Sequence, residues 1–466
     1  MTKKYSLSLF IFRRDFRIID NLGLINALKD SNLVIPIFIF TPEQLVKNKY
    51  KSNNSVQFMI ESLKELDKDL KSKGSKIFYF YGNPEDVVQN IINNNNIDCI
   101  YVNTDYTPYS VKRDDNIKNI CVDSNINFVS TEDVLLNPVK SILTKTSNKV
   151  YQKFTPYFNS AKKIKINSPK SNKFTNYYSN KKKILGEYKS SIDKFYIKNK
   201  YIAVNGGRIN AIKILNNIEK YKKYNKERNN LNINTTKLSA YIKFGCVSIR
   251  EVYHAFKKKL GSNNDLIKQL YWRDFYYNIS FQYPRVFNYS QNLKKQYNAI
   301  QWNNNNNHLN KWKKGETGFP AVDASMREMN KTGFMHNRGR LITSNFLIKI
   351  LGINWKLGEK YFAQKLVDYD PSVNNGNWAW SSGSGADSQP YFRVFNPWLQ
   401  SEKFDAECAY IKKWIPELAN VHPSDIHSWY LSFNKYKIQY NKPIVDYKTM
   451  KIKTMKIYKK ALDKSK

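Results

Sequence analysis

Five short apolar runs in the first third of the chain, separated by helix-periodic segments, constrain its fold more than any other feature. The runs cover residues 7–12, 33–40, 76–81, 98–102 and 127–129, and they are rich in β-branched and aromatic side chains. Between the second and third, Val56, Met59, Leu63, Leu66 and Leu70 recur at helical spacing, and Gly74 closes the helix. Strands that alternate with helices predict a parallel, doubly wound sheet. In such sheets ligands bind beyond the carboxyl ends of the strands. No GxGxxG follows the first strand, which disfavours an ordinary dinucleotide site there.

The pattern then changes twice. Residues 135–204 are rich in Lys, Ser and Asn without clean periodicity, and they read as a long solvated connector. From residue 205 β-type alternation nearly vanishes, and helical segments such as 249–260, 265–282, 323–332 and 344–351 dominate. The expected class is α/β plus all-α: an α/β domain over 1–134, the connector over 135–204 and an all-helical domain over 205–466. No internal repeat is present.

Charge bears on the partner. Lys and Arg number 77 against 38 Asp and Glu, a formal net charge of +39, and nucleic acid heads the list of polyanions such a surface attracts. Asn-rich runs such as 93–96 and 303–307 offer a competing explanation in codon bias. No apolar run reaches the roughly 18 residues of a membrane span. Lys3-Lys4 leads straight into the first strand with no small-residue cleavage site, so neither a membrane nor a secretory route is expected. The four cysteines form no CxxC pair, which argues against a disulfide framework or a thiolate metal site. An intracellular, metal-free protein is the expectation.

Three clusters carry chemistry. Arg13-Arg14-Asp15-Phe16-Arg17, followed by Asp20-Asn21, sits at a strand end, where it forms either an ion-pair network or the lining of a crevice. Thr235-Thr236-Lys237-Leu238-Ser239 offers hydroxyls, backbone N–H groups and a cation ahead of an apolar helix, suited to a phosphate or to simple capping. The third cluster runs through Trp272-Arg273-Asp274, Gly318-Phe319-Pro320 with Asp323, Met335-His336-Asn337-Arg338-Gly339-Arg340, residues 368–380 and Tyr391-Phe392-Arg393. A polar, glycine-containing stretch ending in Trp378 and Trp380 is costly to bury unless every group finds a partner, which points to a ligand-lined cavity.

These motifs resemble the photolyase/cryptochrome superfamily. The opening cluster is similar to the RRDLRxxDN signature, and TGFPxVDAxMR, TGxMHNRxR and DYDPxxNNGNWxW resemble class I cyclobutane pyrimidine dimer photolyases most closely. The resemblance covers essentially the whole chain, including Lys442-Pro443-Ile444-Val445-Asp446 near its end.

The resemblance implies one flavin adenine dinucleotide (FAD) per chain in the helical domain, working in its reduced form, and UV-damaged DNA as the partner of a monomer. It implies that Thr235, Thr236, Lys237, Leu238 and Ser239 cradle the pyrophosphate near Tyr224, with Lys237 where the family usually has Arg. Arg340 and Asp368 resemble the ion pair against the flavin ring, with Asp370 beside it and Asn374 facing N5. Trp272 and Trp380 resemble the aromatics that flank a flipped-out lesion, Asn337 its hydrogen-bond partner, and Arg228, Arg338 and Arg393 its phosphate or rim contacts. Trp302, Trp355 and Trp378 resemble the family's electron-transfer chain.

Three departures stand out. Gln269 occupies the lesion-facing position where dimer photolyases usually carry Glu, and (6-4) photolyases also carry Gln. Leu341 replaces the usual Met, and Asn337 and Leu341 stand where (6-4) enzymes have their His pair; no other His lies nearby except His336, so (6-4) chemistry lacks its proton donors. The loop 103–109 lacks the Asn-Glu pair that binds folate in some relatives, so a second, antenna chromophore is left open. The reading that results is a cyclobutane dimer photolyase. A (6-4) photolyase and a cryptochrome-type photoreceptor are the alternatives, and Trp380 argues against the DASH-type cryptochromes, which usually have Tyr there.

Overall fold

A computed structural model describes residues 3–463. The five expected strands are present: β1 (Tyr5–Phe12), β2 (Ser31–Phe40), β3 (Phe78–Tyr81), β4 (Cys99–Asn103) and β5 (Asn127–Thr131). They form one parallel sheet in the order β3-β2-β1-β4-β5. Helices α1 (Leu22–Asp30), α2 (Asn53–Lys71), α3 (Pro84–Asn94) and α4 (Pro108–Asp123) make the crossovers. Strand alternation sends Leu9 and Ile11 of β1 with Ile35, Ile37 and Ile39 of β2 into one core. Phe10, Phe12, Phe38 and Phe40 point the other way, into a core shared with the helical part. Both faces of the sheet are therefore buried, as the near-continuous apolar runs require.

Residues 135–204 carry little regular structure beyond α5 (Phe154–Ala161) and one 3₁₀ turn, Ile192–Phe195. The expected solvated character holds for their many lysines but not throughout. Leu135, Phe154, Tyr157, Tyr177 and Ile184 are buried, and Tyr177 bridges in parallel to Val34. Composition hid these positions because isolated aromatics among polar residues show no period.

The helices that shape the site are α6 (Ile249–Leu260), α7 (Asp265–Gln282), α8 (Asn337–Asn345), α9 (Trp355–Lys365), α10 (Pro371–Ser382) and the C-terminal α11 (Tyr447–Asp463). The helix expected over 344–351 is instead the end of α8 continued by a π-turn, Phe346–Ile350. Sequence period does not separate the two, because a π-turn keeps most of the apolar face inward. Phe16 and Phe58 stack on Phe244 at 5.9 and 5.2 Å between ring centroids, so the sheet and the helical part share an aromatic seam.

Candidate functional site

The segment Thr235 to Ser239 leads into a short helix, Ser239–Lys243, and holds Lys237 at φ +53°, a left-handed conformation uncommon outside glycine. Burial lowers the pKa of the Lys237 ammonium, and no carboxylate lies within ion-pair distance of it among the described residues. Its Nζ lies 5.5 Å from the centre of the Phe334 ring, and the Arg340 guanidinium lies 5.2 Å from the same ring. Arg340 pairs with Asp368 at 3.0 Å, and Ser239 donates to the same carboxylate at 2.6 Å. Tyr221 donates its hydroxyl to the Thr235 carbonyl, Thr236 Oγ1 accepts from the Leu238 N–H, and Tyr224 opens a helical turn that runs to Glu227. A half-buried, partly desolvated cation that is offset only by the more distant Glu328 favours an anionic partner. A diphosphate would supply the missing charge, so these residues fit the FAD that the resemblance implies.

Asp370, the cap that precedes α10, and Asn374, one turn further on, do different things. Asp370 caps that helix by accepting from the Val373 N–H, and it also accepts from Arg14 at 2.6 Å and from the Tyr277 hydroxyl. Burial would raise its carboxyl, but Arg14 and then Arg273 outweigh that and hold it below the usual carboxylate value. The side chain expected beside the ring thus spends both oxygens on protein partners. It ties the loop after β1 to the helical part. One turn on, Asn374 donates to Glu359 Oε1 at 3.0 Å and to the Glu359 carbonyl at 3.3 Å. That fixes the amide nitrogen inward and leaves Oδ1 as the end available to a ligand. Burial pushes Glu359 up to about 7, against the Asn374 hydrogen bond and the Lys356 charge.

Helices α7 and α10 pack against each other and carry the residues expected to receive the lesion. Gln269, Trp272 and Tyr276 share one face of α7, and Gly376, Asn377 and Trp380 one face of α10. A Cβ on Gly376 would meet Tyr276 Cδ1 at 2.2 Å, so only glycine lets the helices approach this closely. Trp272 and Trp380 are half-buried, and Asn337, the first residue of α8, is exposed. Gln269 reaches only the Asp265 carbonyl, at 3.5 Å.

His336 caps α8, with Nδ1 accepting from the Arg338 N–H, and its buried Nε2 has no partner. Burial, aided by Arg338 and Arg340, pushes the imidazole down to about 4, so it is neutral at pH 7. The three arginines differ. Arg338 is held by Asn229 and Gln400, Arg228 lies 3.6 Å from Asp265, and the exposed Arg393 guanidinium donates to Gln389.

Of the three tryptophans expected to carry electrons, Trp355 and Trp378 lie on α9 and α10 and Trp302 in an irregular segment, and none stacks on another. Trp378 packs edge-on against Phe362 and Trp312, Trp355 donates its indole N–H to Asn292, and Trp302 meets Tyr458 of α11 edge-on at 5.9 Å. Gly358, one turn after Trp355, lies against Trp378, where a Cβ would come within 2.3 Å of Cη2.

A separate cavity of about 250 Å³ opens at the carboxyl ends of β1 and β2, lined by Arg13, Arg14, Thr107, Arg113 and Lys243 among others. Arg13 and Arg113 share Asp114, and each keeps a buried guanidinium nitrogen without a partner. Burial, with Arg113 close by, pushes Arg13 down to about 10. The opening arginine cluster is therefore both an ion-pair network and a cavity lining. No cluster of His, Cys, Asp or Glu among the described residues suits a metal ion, and no helix there is long and apolar enough to cross a membrane.

Sequence reading missed Glu359 and Phe154. Glu359 is the one acid on α9, set among lysines as an ordinary surface charge would be, and Phe154 is one of two phenylalanines on a short amphipathic helix. Neither position carries a sequence signal apart from its neighbours in space.

Comparison with known proteins places the fold and the family. A family model described as DNA photolyase matches residues 8–173, and one described as the FAD binding domain of DNA photolyase matches residues 266–460. A deoxyribodipyrimidine photo-lyase of Buchnera aphidicola subsp. Baizongia pistaciae is 32% identical, with 98% of each chain covered. An archaeal photolyase from Sulfolobus tokodaii, solved with two FAD molecules, superposes with a TM-score of 0.87 at 39% identity, covering 97% of this chain and all of that one. A class III photolyase from Agrobacterium tumefaciens gives a TM-score of 0.89 at 28% identity, covering 99% and 98%.

Proposed function

The chain belongs to the DNA photolyase family, and on that premise we propose that it repairs cyclobutane pyrimidine dimers in DNA under light. FAD, when bound and reduced, supplies the electron that opens the cyclobutane ring. The protein's own part is to bind, orient and exclude water. Lys237 neutralises the diphosphate, and Arg340 with Asp368 and Asn374 fixes the ring end of the site. Trp272 and Trp380 receive the flipped-out bases, where stacking contributes on the order of 1–3 kcal/mol per base and offsets much of the unstacking. With an oxidised flavin bound, Trp302, Trp355 and Trp378 would supply the route by which electrons reach it.

The observation that favours this reading over (6-4) repair is the state of His336. It is the one imidazole beside Asn337, it is neutral at pH 7, and its Nδ1 is committed to capping α8. A site built to donate a proton to a (6-4) lesion needs a histidine of higher pKa. The cavity at the sheet's carboxyl ends is the place we assign to a second chromophore, and the unpartnered guanidinium nitrogens of Arg13 and Arg113 suit an anionic one. Illumination of the reduced protein with DNA carrying one defined lesion tests the main reading. Loss of cyclobutane dimers is expected, and repair of (6-4) lesions alone would overturn it.

A further inference from the structure

Trp272 is not a free platform. The Phe154 ring lies on one of its faces at 3.7 Å between centroids and 6° between planes. Phe275 meets it edge-on at 90°, and Tyr276 is tilted against it at 32°, both at 5.6 Å. Phe154 is itself 2% exposed and continues the column to Phe158, one turn along α5, at 5.7 Å and 15°. The same stretch also reaches the segment just beyond α10, where the Gln152 carbonyl accepts from the Asp387 N–H at 2.8 Å. Residues 152–154 therefore bridge the loop after α10 to Trp272 on α7.

We propose that Phe154 is a positioning residue for lesion recognition: it covers one face of Trp272 and locks the indole plane, leaving the other face as the surface on which a flipped-out base stacks. The assignment rests on the dimer-repair reading above. The physical argument is preorganisation. A half-buried indole held on one side only by aliphatic groups samples several ring orientations, and a stacking ligand must then select one, which lowers the apparent affinity by the fraction competent. A near-parallel ring at van der Waals distance removes that freedom before the ligand arrives. Leucine in place of Phe154 keeps the site apolar but offers no plane, whereas tyrosine keeps the plane.

The test measures dark binding of the FAD-loaded protein to matched oligonucleotides with and without one cyclobutane dimer. Phe154→Leu is expected to weaken dimer binding about tenfold and leave binding to undamaged DNA unchanged, while Phe154→Tyr restores it. In a Trp272→Ala background Phe154→Leu should cost nothing further. Equal losses on damaged and undamaged DNA, or full additivity with Trp272→Ala, would reduce Phe154 to ordinary core packing and overturn the assignment. If Phe154→Leu fails to fold, Phe154→Met is read against the same outcomes. A wild-type protein that does not distinguish the two oligonucleotides refutes the dimer-repair reading, and this assignment with it.

Discussion

Gly358→Ala puts the packing around Trp378 to a direct test. Gly358 sits inside α9, where alanine should be favoured by about 1 kcal/mol on helix propensity alone. The structure predicts the opposite sign. A Cβ there would lie 2.3 and 2.6 Å from Trp378 Cη2 and Cζ3 and 2.5 Å from Leu347 Cδ2. Trp378 and Leu347 are 3% and 0% exposed, so neither can swing into solvent. Forcing a methyl into such a site costs about 1–3 kcal/mol, which leaves a net destabilisation of up to about 2 kcal/mol after the propensity gain. The displaced indole should also slow photoreduction of bound oxidised FAD. Urea unfolding gives the first quantity, and absorbance of the flavin under steady light gives the second. Trp378→Phe is the comparator, expected to block photoreduction while chemically reduced enzyme still repairs dimers. A Gly358→Ala protein that is more stable than wild type, with unchanged photoreduction, would refute the contact.

Three further outcomes are expected. Asp274 is fully buried, its Oδ2 accepts from the Asn137 N–H, and burial raises its carboxyl from 3.8 to about 7 despite Arg273. Its folded pKa lies above its unfolded one, so the stability it contributes is full below about pH 4 and is lost as pH rises through 7. The shift corresponds to roughly 4 kcal/mol at most. Urea unfolding at pH 5 and pH 8 should show a smaller pH difference in Asp274→Asn than in wild type, and equal differences would exclude this group. Arg393→Ala should shallow the salt dependence of DNA binding by about 0.9 in log–log slope if it contacts one phosphate, and an unchanged slope removes it from the interface. Gln269→Ala should weaken dimer binding by roughly 1–3 kcal/mol by leaving a base edge unpaired, whereas Gln269→Glu should retain repair. Alanine matching wild type in both affinity and repair yield would show that Gln269 does not touch the lesion.

The strands and the two long helices Ile249–Leu260 and Asp265–Gln282 were legible in the chain because period and length are local properties. The motif order was enough to place the family, and with it the residues to inspect. Other features were invisible at that level. The π-turn at Phe346–Ile350 keeps the apolar pattern of the helix it extends. Asp370 reads like any acid before a proline, yet its partner Arg14 lies 356 residues away in the chain. His336 is one imidazole in a row of polar residues until burial and two arginines make it neutral. Phe154 and Glu359 take their roles from contacts with Trp272 and Asn374, far from them in the chain or on another helix. The sequence by itself determined which elements form and which residue types are available to the site. Only the tertiary structure decided protonation, amide orientation and ring planes, because these depend on desolvation and on contacts between residues far apart in the chain, and no local pattern encodes either.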